Sequence, residues 1–548
     1  MDERVRELLL DEMRALDAYR QQYLRAHPGL RIDREDPELR LLLEALAFSA
    51  VRTRLATQEG QEALWRRLFA SEFDYLLRPQ PAMAMVRAEI TAALVETLDL
   101  PRGSRLRIQT ADGAVTDFET LEPLRVVPVT LARVELQLRR GGYRLVLGFE
   151  SQFLRPDPPG LVRLHINYLD DYAAAERIKY ALRLHLQRAF VAYDTPIGEH
   201  SDGPTCSVTF GAIASAADDD RNPIEQVRDF WHYPERELFL NIQVAPPRRA
   251  YTRFALCLDL DPNFPDEPPL HPDVFVPLAV PIRNTRRDYS RPVHCDGTRD
   301  EYPVTHVLDE RSLSLWRALG VYELLPNGMV PVPPAALGVA GDCFELDERV
   351  HFAESGEPSR SMMLRAILPD SLVQARQLVV DGLWHQPGFG HGINGPLQIR
   401  PAEQTLPGLL FKLIGPIRPA QPSAIAGHPE ALLEILALKM RSALTLAELR
   451  ALLAAIGGLR GSAYQPYLSL LRELAAEATK DGSARDLGIR HVYRIKLAAY
   501  EPETEPLVHR FLVSLRALLD AWNHDAAIGL VVDTSGCPLR LPLNEAAE

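Results

Sequence analysis

Apolar positions recur every three to four residues through the first eighty residues of this chain, and mostly every second residue over the following stretch. Val5, Leu8, Leu9, Met13, Leu16, Tyr19 and Tyr23 follow the helical period, which predicts an amphipathic helix over residues 2–27. His27, Pro28 and Gly29 end it. Asp36 then stands as an N-cap and Pro37 as a first helical residue with φ already set. Leu39, Leu42, Leu43, Leu46, Ala47, Ala50 and Leu55 make one apolar stripe, and Leu64, Leu68, Phe69, Phe73 and Leu76 a second. Pro79 and Pro81 stop the pattern, because neither can donate to a helix. A helical hairpin packed on a core is the expectation.

From Met83 the period changes to two. Leu106 and Ile108, a turn at Asp112-Gly113, then Val115 and Phe118 predict a hairpin. Residues 127–138, a Gly141-Gly142 turn and residues 143–149 predict another. Residues 171–192 read as a helix with Ile178, Leu182, Leu186 and Phe190 on one face. Pro223 starts a short helix carrying Val227, Phe230 and Trp231, broken at Tyr233-Pro234 before a strand with Leu238, Leu240 and Ile242. Two strands follow in residues 251–283, around a proline-rich loop at 262–272. Acidic and proline-rich segments run on to about Gly341, then short strands at 344–346, 362–367 and 377–380. Residues 415–422 are proline-rich, and the resemblance described below implies a linker there.

The last part is helical again. Leu432, Leu433, Leu436 and Met440 share a period, and Thr445 with Glu448 forms a capping box stapled by Leu444 and Leu449. Gly457-Gly458 stops that helix. A strand at 492–497, a helix from Pro506 and a strand at 528–532 close the pattern. The fold class is therefore α+β and multidomain: a helical N-terminal unit (1–82), a β-rich domain with inserted helices (83–245), a β-rich, wing-like middle domain (246–415) and a helix-containing α/β C-terminal domain (416–548), whose role in assembly is implied only by the resemblance given below. The final helix, with Phe511, Leu515, Leu518 and Trp522 on one side, is the candidate partner interface.

Composition narrows the function classes. At 548 residues the chain has room for roughly three or four cores. A net charge of −13 argues against a nucleic-acid-coating role, which needs cations to displace phosphate counterions. Cys206, Cys257, Cys295, Cys343 and Cys537 are odd in number and far apart, so no disulfide framework or zinc knuckle is indicated. No apolar run is long enough to span a bilayer, and the charged N-terminus lacks a signal-peptide pattern. A cytoplasmic chain without membrane insertion is expected.

Local catalytic signatures fail their context. Residues 390–395 spell G-x-G-x-x-G, but Pro387 precedes and Pro396 follows, and no helix opens to hold a pyrophosphate. P-loop, H-E-x-x-H and G-x-S-x-G patterns are absent. His294, Cys295 and Asp296 lack a second cluster at metal-site spacing, and His385 and His391 flank a glycine-rich loop. Asp218, Asp219 and Asp220 read as a solvated acid run. No catalytic residue, cofactor or metal is assigned. An enzyme with a discontinuous site, its pocket around His294 or His385, is one alternative.

The exact residues say more. Asp36, Pro37, Leu42, Leu43, Glu44, Ala47 and Phe48 fit a DP-x-x-x-x-LLE-x-x-AF element, and Tyr75, Leu76, Pro79, Pro81 and Met83 fit a YLxPxPSM-like exit in which Ala82 replaces serine. Leu100-Pro101-Arg102-Gly103-Ser104 fits an LPRG-T/S loop, and Phe230, Tyr233, Pro234, Leu238 and Phe239 fit an EYF-x-FP-x-K-FLFF element. On these residues the chain resembles the type VI secretion baseplate family TssF (ImpG, VasA). The match is closest in residues 15–90 and 100–125, clear at 226–240 and weaker from 270 onward. A CTP-x-x-NLF element is reduced to Val280–Asn284 without its cysteine, and a WRLISHLSLN element is absent. The resemblance implies a non-enzymatic wedge component of a contractile injection machine. It implies two copies per TssG-like partner, contacts with TssK-like and TssE-like subunits and a VgrG-like hub, and a cytoplasmic baseplate docked near the inner membrane. Such a baseplate is the platform for sheath and tube polymerisation. A related phage-tail-like particle is the other assembly alternative.

Overall fold

The computed structural model describes residues 3–29, 37–111, 113–195, 202–213, 222–265, 268–308, 313–338, 341–352, 358–391, 393, 395–403, 406–425, 428–480, 489–523, 527–534 and 537–543. The Asp36 cap, Asp112 and the acid run Asp218, Asp219, Asp220 lie outside them. The helices are α1 (Glu3–Ala26), α2 (Pro37–Leu77), α3 (Tyr172–His185), α4 (Pro223–His232), α5 (Pro429–Lys439), α6 (Leu446–Ile456) and α7 (Glu505–Trp522). No helix among the described residues is long and apolar enough to cross a membrane. Both apolar stripes after residue 36 lie on α2, one helix of 41 residues, so the hairpin is α1 against α2.

A closed six-stranded barrel sits at the centre. Its order is Met83–Ile90, Ala279–Arg283, Val115–Thr120, Arg105–Gln109, Gln398–Pro401 and Leu409–Arg418. The barrel thus draws strands from both sides of residue 245 and across residue 415, so the four consecutive units expected from the sequence do not coincide with separate cores. The segment read as a linker is partly barrel wall. Met83 pairs with Arg418 but Met85 with Ile414, a bulge that absorbs Gly415 (φ +64°) and Pro416.

Two four-stranded sheets face α3 and share one core. One runs Ser207–Phe210, Phe239–Gln243, Leu161–Ile166, Phe275–Pro277. The other runs Thr130–Arg139, Gly142–Arg155, Tyr251–Leu260, Leu186–Tyr193. The helix expected over 171–192 therefore ends at His185. Leu186 turns extended (φ −68°, ψ 121°) and a strand follows. Ala189 and Val191 enter one core while Phe190 enters another, so both faces of this strand are buried and no polar alternation marks it.

Residues 286–385, expected to be acidic and proline-rich for much of their length, form two small antiparallel sheets with a core of their own. A last sheet, Leu471–Lys480, Ile489–Leu497 and Ala527–Thr534, pairs its final two strands in parallel. It covers a large core built from the end of α2, α4, α5, α6 and α7. The Thr445–Glu448 capping box forms as expected, with Leu444 and Leu449 buried beside it. On α5 the buried side chains are Leu432, Ile435 and Leu438. Leu433 and Met440, expected inward, are exposed.

Candidate assembly interface

The end of α2 is fixed by polar contacts that its own sequence cannot supply. The last carbonyls of any helix lack internal donors. Here Arg228 of α4 donates to the Tyr75 carbonyl at 2.6 Å and to the Arg78 carbonyl at 2.7 Å. Ser423 Oγ donates to the Leu76 carbonyl at 2.7 Å. His232 donates to the Pro81 carbonyl at 3.1 Å, and Gln80 to the Arg228 carbonyl at 2.9 Å. Burial pulls the Arg228 guanidinium down to about 10, far enough above neutrality to stay charged, and pulls the His232 imidazole down to about 4, so it is neutral. Phe69, Phe73 and Leu76 are sunk in the large core, and Phe73 (φ −133°, ψ 34°) interrupts the helix where it enters. The aromatic element around Phe230 and Tyr233 thus belongs to the clamp on α2.

Beyond this root α2 leaves the core. Up to its interruption at Phe73 the helix, residues 37–72, is about 54 Å long, more than one small core can cover. Ala47 and Val51 are buried, and Arg54 reaches Glu12 of α1 at 3.6 Å. Leu39, Leu43, Leu55 and Trp65 are half-buried, and other large apolar side chains of this stretch face solvent. Leu41, Leu42, Leu46, Phe48, Leu64 and Leu68 are each between 45% and 67% exposed, and Leu10, Tyr19 and Tyr23 of α1 are exposed as well. Leu42 with Leu46 and Leu64 with Leu68 are i,i+4 pairs. About five turns separate Leu46 from Leu64, which returns both pairs to one face, roughly a quarter-turn or more away from the Ala47–Val51 seam. The pairs are two separate exposed apolar patches on that face, about 27 Å apart, with Thr53 and Thr57 between them.

The four residues expected at a partner interface are placed elsewhere. Phe511, Leu515, Leu518 and Trp522 are at most 2% exposed, inside the chain's own core. Trp522 stacks on Phe73 with centroids 5.5 Å apart, and Trp231 donates to Ser514 at 3.0 Å. Alongside them Val508, Leu512 and Leu519 are buried too, so α7 is apolar around most of its circumference and packed within this chain. The exposed face on α2 was visible in the sequence only as a stripe. The signal for its exposure was length, since α1 can cover one side of so long a helix and no more.

The other candidate groups do not converge. His294 points out from a strand while Val293 and Cys295 point in. His385 is buried, and His391 donates to the Ala420 carbonyl at 3.0 Å. Around residues 390–395 a strand follows (Gln398–Pro401) and no helix opens. Among the described residues no three His, Cys, Asp or Glu side chains are grouped to hold a metal ion. A hollow of about 500 Å³ lies between the barrel and the neighbouring sheets, lined mainly by apolar groups such as Leu100, Leu124, Val127 and Leu161. Neither His294 nor His385 lines it.

The structure therefore defines a large multidomain α+β protein, built on a barrel, with a clamped helical arm that carries an open apolar face. Residues 1–190 match the family model described as "Type VI secretion system, TssF". A chain in the structure of the type VI secretion system TssK-TssF-TssG baseplate subcomplex shares the fold with a TM-score of 0.71 at 15% identity, over 90% of this chain and 96% of that one. A chain of the type VI secretion baseplate complex does so with a TM-score of 0.56 at 14% identity, over 96% of each. The resemblance to TssF read from the sequence stands, on the N-terminal third by sequence and on nearly the whole length by fold. No curated protein matches the chain.

Proposed function

We propose that this chain is a structural subunit of a type VI secretion baseplate, and that α1 and α2 enter a helical bundle shared with a TssG-like partner. The observation that carries this reading is the two leucine pairs, Leu42 with Leu46 and Leu64 with Leu68, left open on one face of a helix whose root is clamped by Arg228. Covering these half-exposed leucines is worth, for each, roughly half of the about 1.5–3 kcal/mol of a full burial, which favours a partner helix laid along this face. The fold shared with chains of type VI baseplate complexes supports the same reading. Its role is mechanical rather than catalytic: rigid β modules hold interfaces at fixed places, and a helical arm ties chains together.

The finer assignments follow the same reading. Two copies join one TssG-like subunit, with TssK-like and TssE-like subunits and a VgrG-like hub as neighbours. The assembly docks near the inner membrane and carries sheath and tube. Co-expression with a TssG-like protein, followed by mass determination by light scattering, tests it. The reading predicts a stable complex with two copies of this chain per partner, lost in the Leu42→Ser, Leu46→Ser, Leu64→Ser, Leu68→Ser variant. A wild-type chain that remains monomeric beside its partner contradicts it.

A further inference from the structure

The sheets of residues 286–385 have a core drawn entirely from their own residues, Val293 to Trp384. They leave the barrel through a narrow neck. Asn284 ties both crossings together: its side-chain amide donates to Thr116 Oγ1 at 2.8 Å and to the Asp117 carbonyl at 2.9 Å, and its oxygen accepts from the Gln386 backbone at 2.9 Å. Just beyond, Arg286 pairs with Trp384 as the first rung of the outgoing strands. Trp316 rests at the foot, donating to the Pro79 carbonyl at 2.8 Å beneath Arg283.

A second contact lies well away from the neck. Arg67 of α2 donates to Asp347 at 3.0 Å and lies 3.6 Å from Glu345. Arg66 donates to the Glu348 carbonyl at 2.9 Å. Arg67 lies on α2 before its interruption at Phe73, ten residues from the end of the helix, so this contact is separate from the foot. It is polar and partly wet, with the Arg67 and Asp347 side chains 40% and 23% exposed. At the neck itself Arg286 also pairs with Asp117 at 3.0 Å and the Arg287 backbone donates to Glu119 at 2.7 Å, so these contacts, with Asn284, form the pivot, and the Arg66/Arg67 contact is the one that reaches the module away from it.

We propose that residues 286–385 form a module that pivots on the Asn284–Gln386 neck, and that the Arg66/Arg67 contact with Glu345, Asp347 and the Glu348 carbonyl is an ionic brace selecting its present pose. An ion pair this exposed biases a two-pose equilibrium by up to about fivefold and weakens with salt. The brace is therefore a soft catch, strong enough to favour one pose and weak enough to release. The inference stands apart from what binds the helical arm.

Spin labels at Val373→Cys in the module and Met440→Cys beside the large core, both more than 85% exposed, read the pose as a distance distribution in a Cys537→Ser background. Wild type at low salt is expected to give one narrow distance. Arg67→Glu, or wild type at 1 M salt, is expected to shift or broaden it, and adding Asp347→Arg to Arg67→Glu to restore it. A distribution unchanged by both the reversal and salt overturns the proposal. So does a reversal whose effect the charge swap leaves in place. Should Arg67→Glu fail to fold by circular dichroism, the wild-type salt series decides alone.

Discussion

Helices α2 and α7 carry much the same apolar periodicity and meet opposite fates. On α7, leucines and aromatics are covered by the end of α2, by α4 and by the final sheet. On α2, only the last turns are covered, and the leucines of residues 41–68 remain in solvent apart from the seam with α1. Periodicity specifies a face and not what covers it. Coverage depends on how many neighbouring elements a helix can reach, and a helix that runs about 54 Å before its kink outruns its own core. The difference gives α7 to stability and, in the function proposed for this chain, α2 to association.

Substitutions should separate the two sharply. The largest effect is expected at Trp522→Ala, which empties the stack on Phe73 and should cost about 3–5 kcal/mol in urea unfolding of the free chain. A loss below about 1 kcal/mol would show that the core around α7 closes without it. Acid should then loosen the root of α2. Burial holds His232 and His165 at about 4, against an unfolded value near 6.5, so the unfolded chain takes up these protons first. Their contribution is complete above pH 6.5 and is lost as pH falls from there toward 4, by on the order of 3 kcal/mol per histidine. His232→Gln keeps a donor for the Pro81 carbonyl, and its stability should fall less steeply across that window. An unchanged slope would remove His232 from the account.

Smaller effects sharpen the comparison. Thr445→Ala removes the cap of α6 and should cost about 1 kcal/mol, well short of Trp522→Ala, because it frees one helix end and opens no cavity. Leu46→Ser and Leu64→Ser should each change the stability of the free chain by no more than about 0.5 kcal/mol, since neither side chain is covered. Equal losses at Leu64 and Trp522 would erase the distinction between the helices.

Much of the fold was legible where local chemistry decides it. The Thr445–Glu448 box, the Pro37 helix start and the alternation through Leu106, Ile108 and Phe118 all formed as read. Tertiary context decided the rest. The strand at residues 186–193 is buried on both faces and so lacks alternation, and Gly415-Pro416 marks a bulge in a barrel strand rather than a linker. Barrel closure by strands some three hundred residues apart leaves no local mark at all. The face of α7 offered as a partner interface is covered by the chain's own core, because Phe511 and Trp522 look identical in sequence whether a partner or the chain itself covers them.

Hydrogen exchange along α2 and α7, in the free chain and in complex with a TssG-like partner, tests the division of labour most directly. The account predicts fast exchange over residues 37–68 and slow exchange over residues 505–522 in the free chain, with the first segment becoming protected in the complex and the second unchanged. Protection that appears elsewhere while residues 37–68 still exchange freely would contradict it.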